Sequence, residues 1–324
     1  MTALLRGAIV IACSLAAAGP TVADPLVSSA EDEFDSTAYA YPVVITPTRM
    51  RQSLAEVPAS VTVITADMIR RHGITTIPDA LRLVPGMAVT RATGNDYRVN
   101  YHGTGVVSPR RMNVMIDGFT AYGSELSSVD WSQLPVALED VDRIEVTRGP
   151  DSSSYGPNSM LSAINIITRR PKEAEQGMVA LGAGTRGEVD STVRVAGRVQ
   201  EGSNMSLTAS TARDSGYDQS TMRGGAHDSG QVKRLNLRTQ TQVDTHTTLD
   251  VDISHLDNHK EVAYASDSRA RTYPDLHRID TQLQARWTRA LSADHEVQVR
   301  FQATSADRKS TRLNSSHGYI SYAV

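Results

Sequence analysis

The chain has one cysteine, Cys13, among 324 residues, and only three phenylalanines and two tryptophans. A lone cysteine excludes a disulfide framework and a multi-cysteine metal centre. Charge of one sign is also missing: 33 Lys and Arg face 36 Asp and Glu, for a net charge of −3. No basic excess marks a nucleic-acid surface, so none is expected as partner. Hydrophobic residues make up 40% of the chain, enough for a core, yet aromatics are scarce while Thr, Ser, Asp, Arg and Gln abound. That mixture is unusual for a soluble core.

Long apolar runs are absent after the first 23 residues. "MTALLRGAIVIACSLAAAGPTVA" carries one basic residue, Arg6, then an apolar stretch from Gly7 to Ala18, then small residues ending Thr21-Val22-Ala23. This pattern predicts a secretory signal peptide over 1–23, cleaved after Ala23, and too short to be a stable span. "VIAC" also fits a lipoprotein cleavage box, but only about six apolar residues precede it, a short run for that role. Cys13 lies inside this segment, so the mature chain has no cysteine. Residues 24–41, with "EDEFD", read as a flexible acidic leader.

Residues 42–171 read as a small mixed α+β domain. "SVTVIT", "MAVTRA", "YRVNYHG", "MNVMIDG" and "RIEVTRG" predict short strands. "ADMIRRHG" predicts a helix closed by Gly73, "TTIPDALRLVPG" a second stopped by Pro-Gly, and "LPVALEDVDRI" a third with Pro135 near its start.

From about residue 172 to 306 the period changes to two. Val193 and Val195 alternate with Arg194, and Leu207 with Ser206 and Thr208. Leu249, Val251 and Ile253 alternate with Asp250, Asp252 and Ser254, and Val297, Val299 and Phe301 with Gln298, Arg300 and Gln302. About seven strands of roughly 9–13 residues result, each with an apolar and a polar face. A soluble sandwich has such strands too. The connections favour a barrel: short turns ("EGSN", "DTHT", "SADH") alternate with long polar loops near 214–231 and 258–277, the asymmetry of transmembrane barrels.

"PASVTVITADMI", "DALRLVPGMAV", "MNVMIDG", "LPVALEDVDRIEVTRGPDSSSYG" and "SAINIITRRP" together resemble, in order and spacing, the plug domain of TonB-dependent outer-membrane receptors. His102 in "NYHG" stands where that family more often has arginine. The resemblance implies a plug folded inside a closed antiparallel barrel of about 22 strands in the Gram-negative outer membrane, with lipid outside it. It also implies active import of a scarce small-molecule or metal-chelate ligand, such as a ferric siderophore or a corrinoid, powered by the energising protein TonB. No catalytic residue, resident metal or cofactor is implied.

The Gly- and Ser-rich loop "RGPDSSSYGPNSM" fits neither a phosphate cradle nor a nucleophile elbow. Gly156 is followed by Pro157 and Asn158 rather than Lys and Ser/Thr, and no G-x-S-x-G is present. It reads as a sharp turn whose Ser154 and Tyr155 seat the next element. "YPVVITPTR" is the stronger functional candidate. Pro42 and Pro47 bracket a short β-branched run and limit ladder pairing. Such a segment suits strand addition to a partner's sheet, and Val43, Val44, Ile45 and Thr46 resemble a TonB box. The alternative is that they form the plug's own first strand. Tyr97, Arg98, Arg110, Arg111 and Tyr122 are the candidate ligand contacts at the plug apex, and Arg143, Glu145 and Arg148 the candidate plug–barrel ion pairs. Asp214, Asp218 and Asp228 are a weaker candidate calcium set. His255 and His259 have a metal-like spacing, discounted because they fall at a strand end rather than on a helix.

A barrel of that size needs about 400 residues beyond the plug. The alternation fades after Ala306, and 307–324, "DRKSTRLNSSHGYISYAV", resemble a translated sequencing adaptor. The chain is therefore expected to be a truncated transporter with a non-native tail. The competing functional readings are a passive outer-membrane surface receptor or adhesin without energy coupling, and a soluble periplasmic domain.

Overall fold

The computed structural model describes residues 42–49, 51–102, 111–123, 129–150, 152–155, 158–217, 227–262, 275–292, 295–310 and, for the backbone alone, 313–323. The signal peptide and acidic leader lie outside the described residues.

The first unit begins with two short strands, β1 (Val43–Val44) and β2 (Gln52–Ser53), paired antiparallel. It continues with β3 (Ser60–Thr65), helices α1 (Ala66–Arg71) and α2 (Ile77–Ala80), and the hairpin β4 (Met87–Thr93) and β5 (Asp96–Tyr101). Then come β6 (Met112–Ile116), β7 (Phe119–Thr120), β8 (Val141–Arg148), the single turn α3 (Ser152–Tyr155) and β9 (Ser162–Thr168). Five of these strands form one sheet in the order β3-β8-β9-β6-β7, with β6 and β9 parallel. Thr65 caps α1 by accepting from Met68 N, and Thr76 does the same for α2 from Asp79 N. The core lies between this sheet, the helices and the β4–β5 hairpin, around Ile64, Leu81, Val99, Val114, Ile144 and Ile164.

The expected helix over "LPVALEDVDRI" does not form. A 3-10 turn covers Leu138–Asp140, and Val141 already begins β8. The carbonyls of Leu134, Pro135 and Glu139 accept instead from Arg234, Asn236 and Arg194, side chains of the second unit. A helix would have committed most such carbonyls to its own ladder.

The second unit is one antiparallel sheet of β10 (Gly177–Ala183), β11 (Val189–Gln200), β12 (Ser203–Asp214), β13 (Gly230–Asp244), β14 (Thr247–Glu261), β15 (Asp275–Ala290), β16 (Glu296–Ser310) and β17 (Leu313–Ala323), paired strictly in sequence order. From β11 to β16 the strands run 12 to 16 residues, longer than the roughly 9–11 a tilted transmembrane strand needs. Residues 307–310 continue β16, and 313–323 add the eighth strand. That ladder is made by main-chain bonds, which form without regard to side-chain pattern.

Burial on this sheet is inverted relative to a soluble protein. Val193, Val195, Leu207, Leu235, Ile253, Leu283, Val297 and Val299 are exposed, whereas Thr192, Arg194, Ser206, Thr208, Asn236, Arg238, Ser254 and Asp280 are buried. Register lines up the outward row as Val195, Leu207, Leu237, Ile253, Leu283 and Ala303 across six strands. Leaving each large aliphatic side chain in water forgoes about 1.5–3 kcal/mol, so this face is built for lipid and the polar face for the plug. Among the described residues no helix is long and apolar enough to cross a membrane.

Candidate functional site

The site is assembled around β8. Its sequence, "VDRIEVTR", places a carboxylate between two core residues: Ile144, Glu145 and Val146 are all 0% exposed. An isolated buried carboxylate costs several kcal/mol, so Glu145 must be surrounded by donors. Its Oε2 accepts from Ile45 N (2.9 Å), Thr46 N (2.8 Å) and Thr46 Oγ1 (2.6 Å). Its Oε1 accepts from Arg143 Nε at 2.9 Å, and Arg143 Nη1 also reaches Asp142 Oδ2 at 2.9 Å.

Two successive amides aimed at one oxygen make a small anion-binding concavity, here closed on a side chain of the same molecule. The clasped segment is the "VVIT" run. Val43 and Val44 pair with Ser53 and Gln52, and Pro42, which has no N–H to donate, adds one bond by accepting from Leu54 N at 3.0 Å. Val44 and Thr46 are wholly buried, and Val43 remains half exposed. The turn that follows is held by the Gly- and Ser-rich loop: Ser154 Oγ donates to the carbonyl of Pro47 at 3.0 Å, and Arg49 lies over the Tyr155 ring at 4.7 Å. The loop thus seats the N-terminal segment as well as leading into β9.

Arg143 and Glu145 were expected to reach the barrel, and they do not. Both are committed inside the plug, and Arg148 has no ion pair among those of the described residues. The plug–barrel charges come from residues just upstream. Asp140 accepts from Arg194 Nη1 (3.0 Å) and Thr208 Oγ1 (3.1 Å) on one oxygen and from Arg238 Nη1 (3.1 Å) on the other. The Asp140 and Arg194 side chains are 2% and 3% exposed. Arg238 is further paired with Asp252, and Glu139 accepts from Thr192 Oγ1 at 2.9 Å.

A second anchor joins Asp130 of the plug to Lys260 of β14. Burial raises the Asp130 carboxyl, but the Lys260 ammonium, with the hydroxyl and amide of Ser132, outweighs it and holds the group below its ordinary value of 3.8. A depressed carboxyl contributes stability above its unfolded value and loses it as pH falls through the folded one. This anchor is accordingly intact at neutral pH and is lost only below about pH 3.8. Lys260→Met should return Asp130 to or above that value, read from a carboxyl titration by isotope-edited infrared spectroscopy. An unchanged midpoint would refute the pairing.

Beside Lys260 the β4–β5 hairpin tip meets the bases of the long loops. Gly94 N donates to Asp228, and Asn95 Nδ2 donates to the carbonyls of Ser229 and Glu261, both at 2.8 Å. Arg91 pairs with Asp214 and lies over the Tyr97 ring at 4.9 Å. Asp214 accepts from Arg91 and Asp228 from the Gly94 and Tyr217 amides; Asp218, the third residue of the weaker candidate calcium set, lies outside the described residues. A methyl group on Gly94 would sit 2.6 Å from Gly216 Cα and 2.7 Å from the Asp228 carbonyl oxygen. Gly94→Ala should cost about 1–3 kcal/mol by overpacking, measured as a lower urea midpoint of the refolded chain; an unchanged midpoint would rule out this close approach.

The candidate apex contacts scatter. Tyr97 and Tyr122 pack against the plug core, and burial raises both phenols, Tyr122 to about 12. Tyr122 donates its hydroxyl to the Met112 carbonyl. Arg98 pairs with Asp96 at 3.3 Å, Arg111 is exposed, and Arg110 lies outside the described residues. His102 takes a positive φ of 55° and meets Tyr101 edge-on at 4.1 Å. Sequence reading missed Asp140, Asp130 and Arg91. The available signal was the "LED" triplet, whose acids precede a strand bearing one more buried acid.

A mixed five-stranded sheet held against the polar face of sequentially paired antiparallel strands is the fold of a plug domain followed by barrel strands. Residues 53–162 match the model of the TonB-dependent Receptor Plug Domain family. That family is one of transporters and receptors of the Gram-negative outer membrane. Similar proteins include the vitamin B12 transporter BtuB of Vibrio vulnificus (strain CMCP6), 28% identical over 176 residues, which are 54% of this chain and 28% of that one. The chain thus spans less than a third of that relative's length. Among solved structures, the ferripyoverdine receptor of Pseudomonas aeruginosa aligns with a TM-score of 0.65 at 21% identity, over 88% of this chain and 38% of that one. The alcaligin receptor FauA of Bordetella pertussis gives 0.65 at 18% identity, over 87% and 45%. These likenesses establish the fold.

Proposed function

We propose that the chain is the N-terminal part of an energised importer that brings a scarce ligand, a ferric siderophore, a corrinoid or a similar chelate, across the outer membrane. Residues 1–23 direct export, and 307–324 are foreign to the parent receptor. Val43 to Thr46 are the segment that TonB grasps from the periplasm. The observation that carries this reading is the clasp: a β-branched segment held by a two-residue ladder and one carboxylate, so that it detaches without dismantling the five-stranded sheet. The BtuB relative and the siderophore-receptor folds support the ligand class. Neither catalytic machinery nor a resident metal is required, since the work is done by a pull on the plug.

In the complete receptor, deleting Val43–Thr46 should leave ligand binding at the cell surface unchanged and abolish uptake that depends on the proton gradient. Uptake that persists in the deletion, or that ignores a protonophore in the parent, would favour a passive surface receptor instead.

A further inference from the structure

We propose that Asp257, His259 and His277 form a divalent-cation site of zinc-like chemistry at the loop end of the β14–β15 hairpin. Period-two geometry puts Asp257 and His259 on one face of β14, and the register sets His277 on β15 directly opposite His259. This is the face that carries Leu249, Val251 and Ile253 lower on the strand. The site therefore lies above the apolar row, at the end where the long 262–274 connection leaves the sheet.

Three donor atoms converge. His277 Nε2 lies 2.8 Å from Asp257 Oδ1, and His259 Nε2 lies 3.5 Å from the same oxygen. All three ligand atoms fall within 4.8 Å of one another. For metal–ligand bonds of about 2.0–2.2 Å in a tetrahedron, ligand atoms stand roughly 3.3 Å apart, so the two measured separations bracket the required one. The imidazole rings are stacked, with centroids 3.8 Å apart and planes at 15°, so one ring must turn about its Cβ–Cγ bond for both in-plane lone pairs to reach one ion.

Both imidazoles turn Nε2 to one Asp257 oxygen, and a metal ion replaces those contacts with three direct bonds. Two imidazoles and a carboxylate select zinc, nickel or copper over magnesium and calcium, and three protein ligands leave one position open to water or an external anion. Lys233 on β13 stands opposite Asp257, and Lys309 on β16 stands opposite His277 and pairs with Asp307 at 3.2 Å. His255, two residues down the strand, is turned to Thr281 at 2.9 Å. The two lysines limit the affinity for a dication.

The test uses the full untagged chain in detergent micelles, titrated with Zn2+ by calorimetry and with Co2+ by visible absorption. One Zn2+ should bind per chain at pH 7.5, and Co2+ should give a low-symmetry d–d spectrum that Zn2+ abolishes. His259→Gln and His277→Gln should each weaken binding by about 100-fold. Equal affinity in wild type and the double variant would overturn the proposal. Where a variant does not fold, carbethoxylation of the wild-type chain decides: Zn2+ should protect His259 and His277 and leave His72 and His246 reactive. Equal modification of all four would also overturn it.

Discussion

Replacing Glu145 by alanine should release the N-terminal segment from the plug while leaving the five-stranded sheet in place. The substitution strands the amides of Ile45 and Thr46 and the Thr46 hydroxyl, all of which end on one carboxylate oxygen. Hydrogen bonds to a charged group contribute about 1.5–3 kcal/mol each. The three share an acceptor, so a combined loss of about 3 kcal/mol is a fair figure, or roughly 100-fold in the docked-to-released ratio. Tryptic cleavage after Arg49 and Arg51 should accelerate accordingly, and a spin label at Val43 should sharpen. Glu145→Gln keeps one carbonyl acceptor and should fall between wild type and alanine. Thr46→Val removes one donor and should give about tenfold. An alanine variant with wild-type cleavage would mean that the two-residue ladder alone holds the segment.

Asp140→Ala should loosen the plug from the barrel wall more than any other single change. It leaves the Arg194 guanidinium 3% exposed with its carboxylate gone, and removing one partner of a buried ion pair costs about 3–5 kcal/mol. Arg238 keeps Asp252, so most of the damage falls on Arg194. The double variant Asp140→Leu with Arg194→Met should therefore recover much of the lost stability. Urea unfolding and amide exchange of β8 would report both effects. A single variant as stable as wild type would show that the triad contributes nothing to docking.

The fold was legible where the local pattern and the final environment agree. Alternation in 193–303 announced a two-faced sheet, and the short–long rhythm of connections separated a barrel from a sandwich. "PASVTVITADMI" and "DALRLVPG" carried their own caps and stops. The pattern misled at "LPVALEDVDRI", where helical spacing of Leu134, Leu138 and Val141 lost to side chains some 55 to 100 residues away that claim its carbonyls. The site was half legible. Two prolines around a β-branched run singled out Val43–Thr46, but its partner on β8 is a tertiary fact, 99 residues distant for Thr46. Charge on a strand marks a residue that needs a partner, without naming it. Glu145 found the plug's own N-terminal segment, and the barrel contacts fell to Asp140, five positions earlier.

That short interval, from Asp140 just ahead of β8 to Glu145 within it, has a mechanical meaning. A tension applied to the chain ahead of Val43 is transmitted through the Glu145 side chain into β8, and out to the barrel wall at Asp140. β8 is bonded along both edges, to β3 and to β9, so loading it along its axis shears two ladders at once. The side-chain clasp stands in series with those ladders and consists of three bonds on a single atom. Elements in series carry the same force, so under a rising load the clasp, with the fewest bonds, yields first and both ladders stay intact. The plug is thus built with a low-force fuse ahead of a stiff frame.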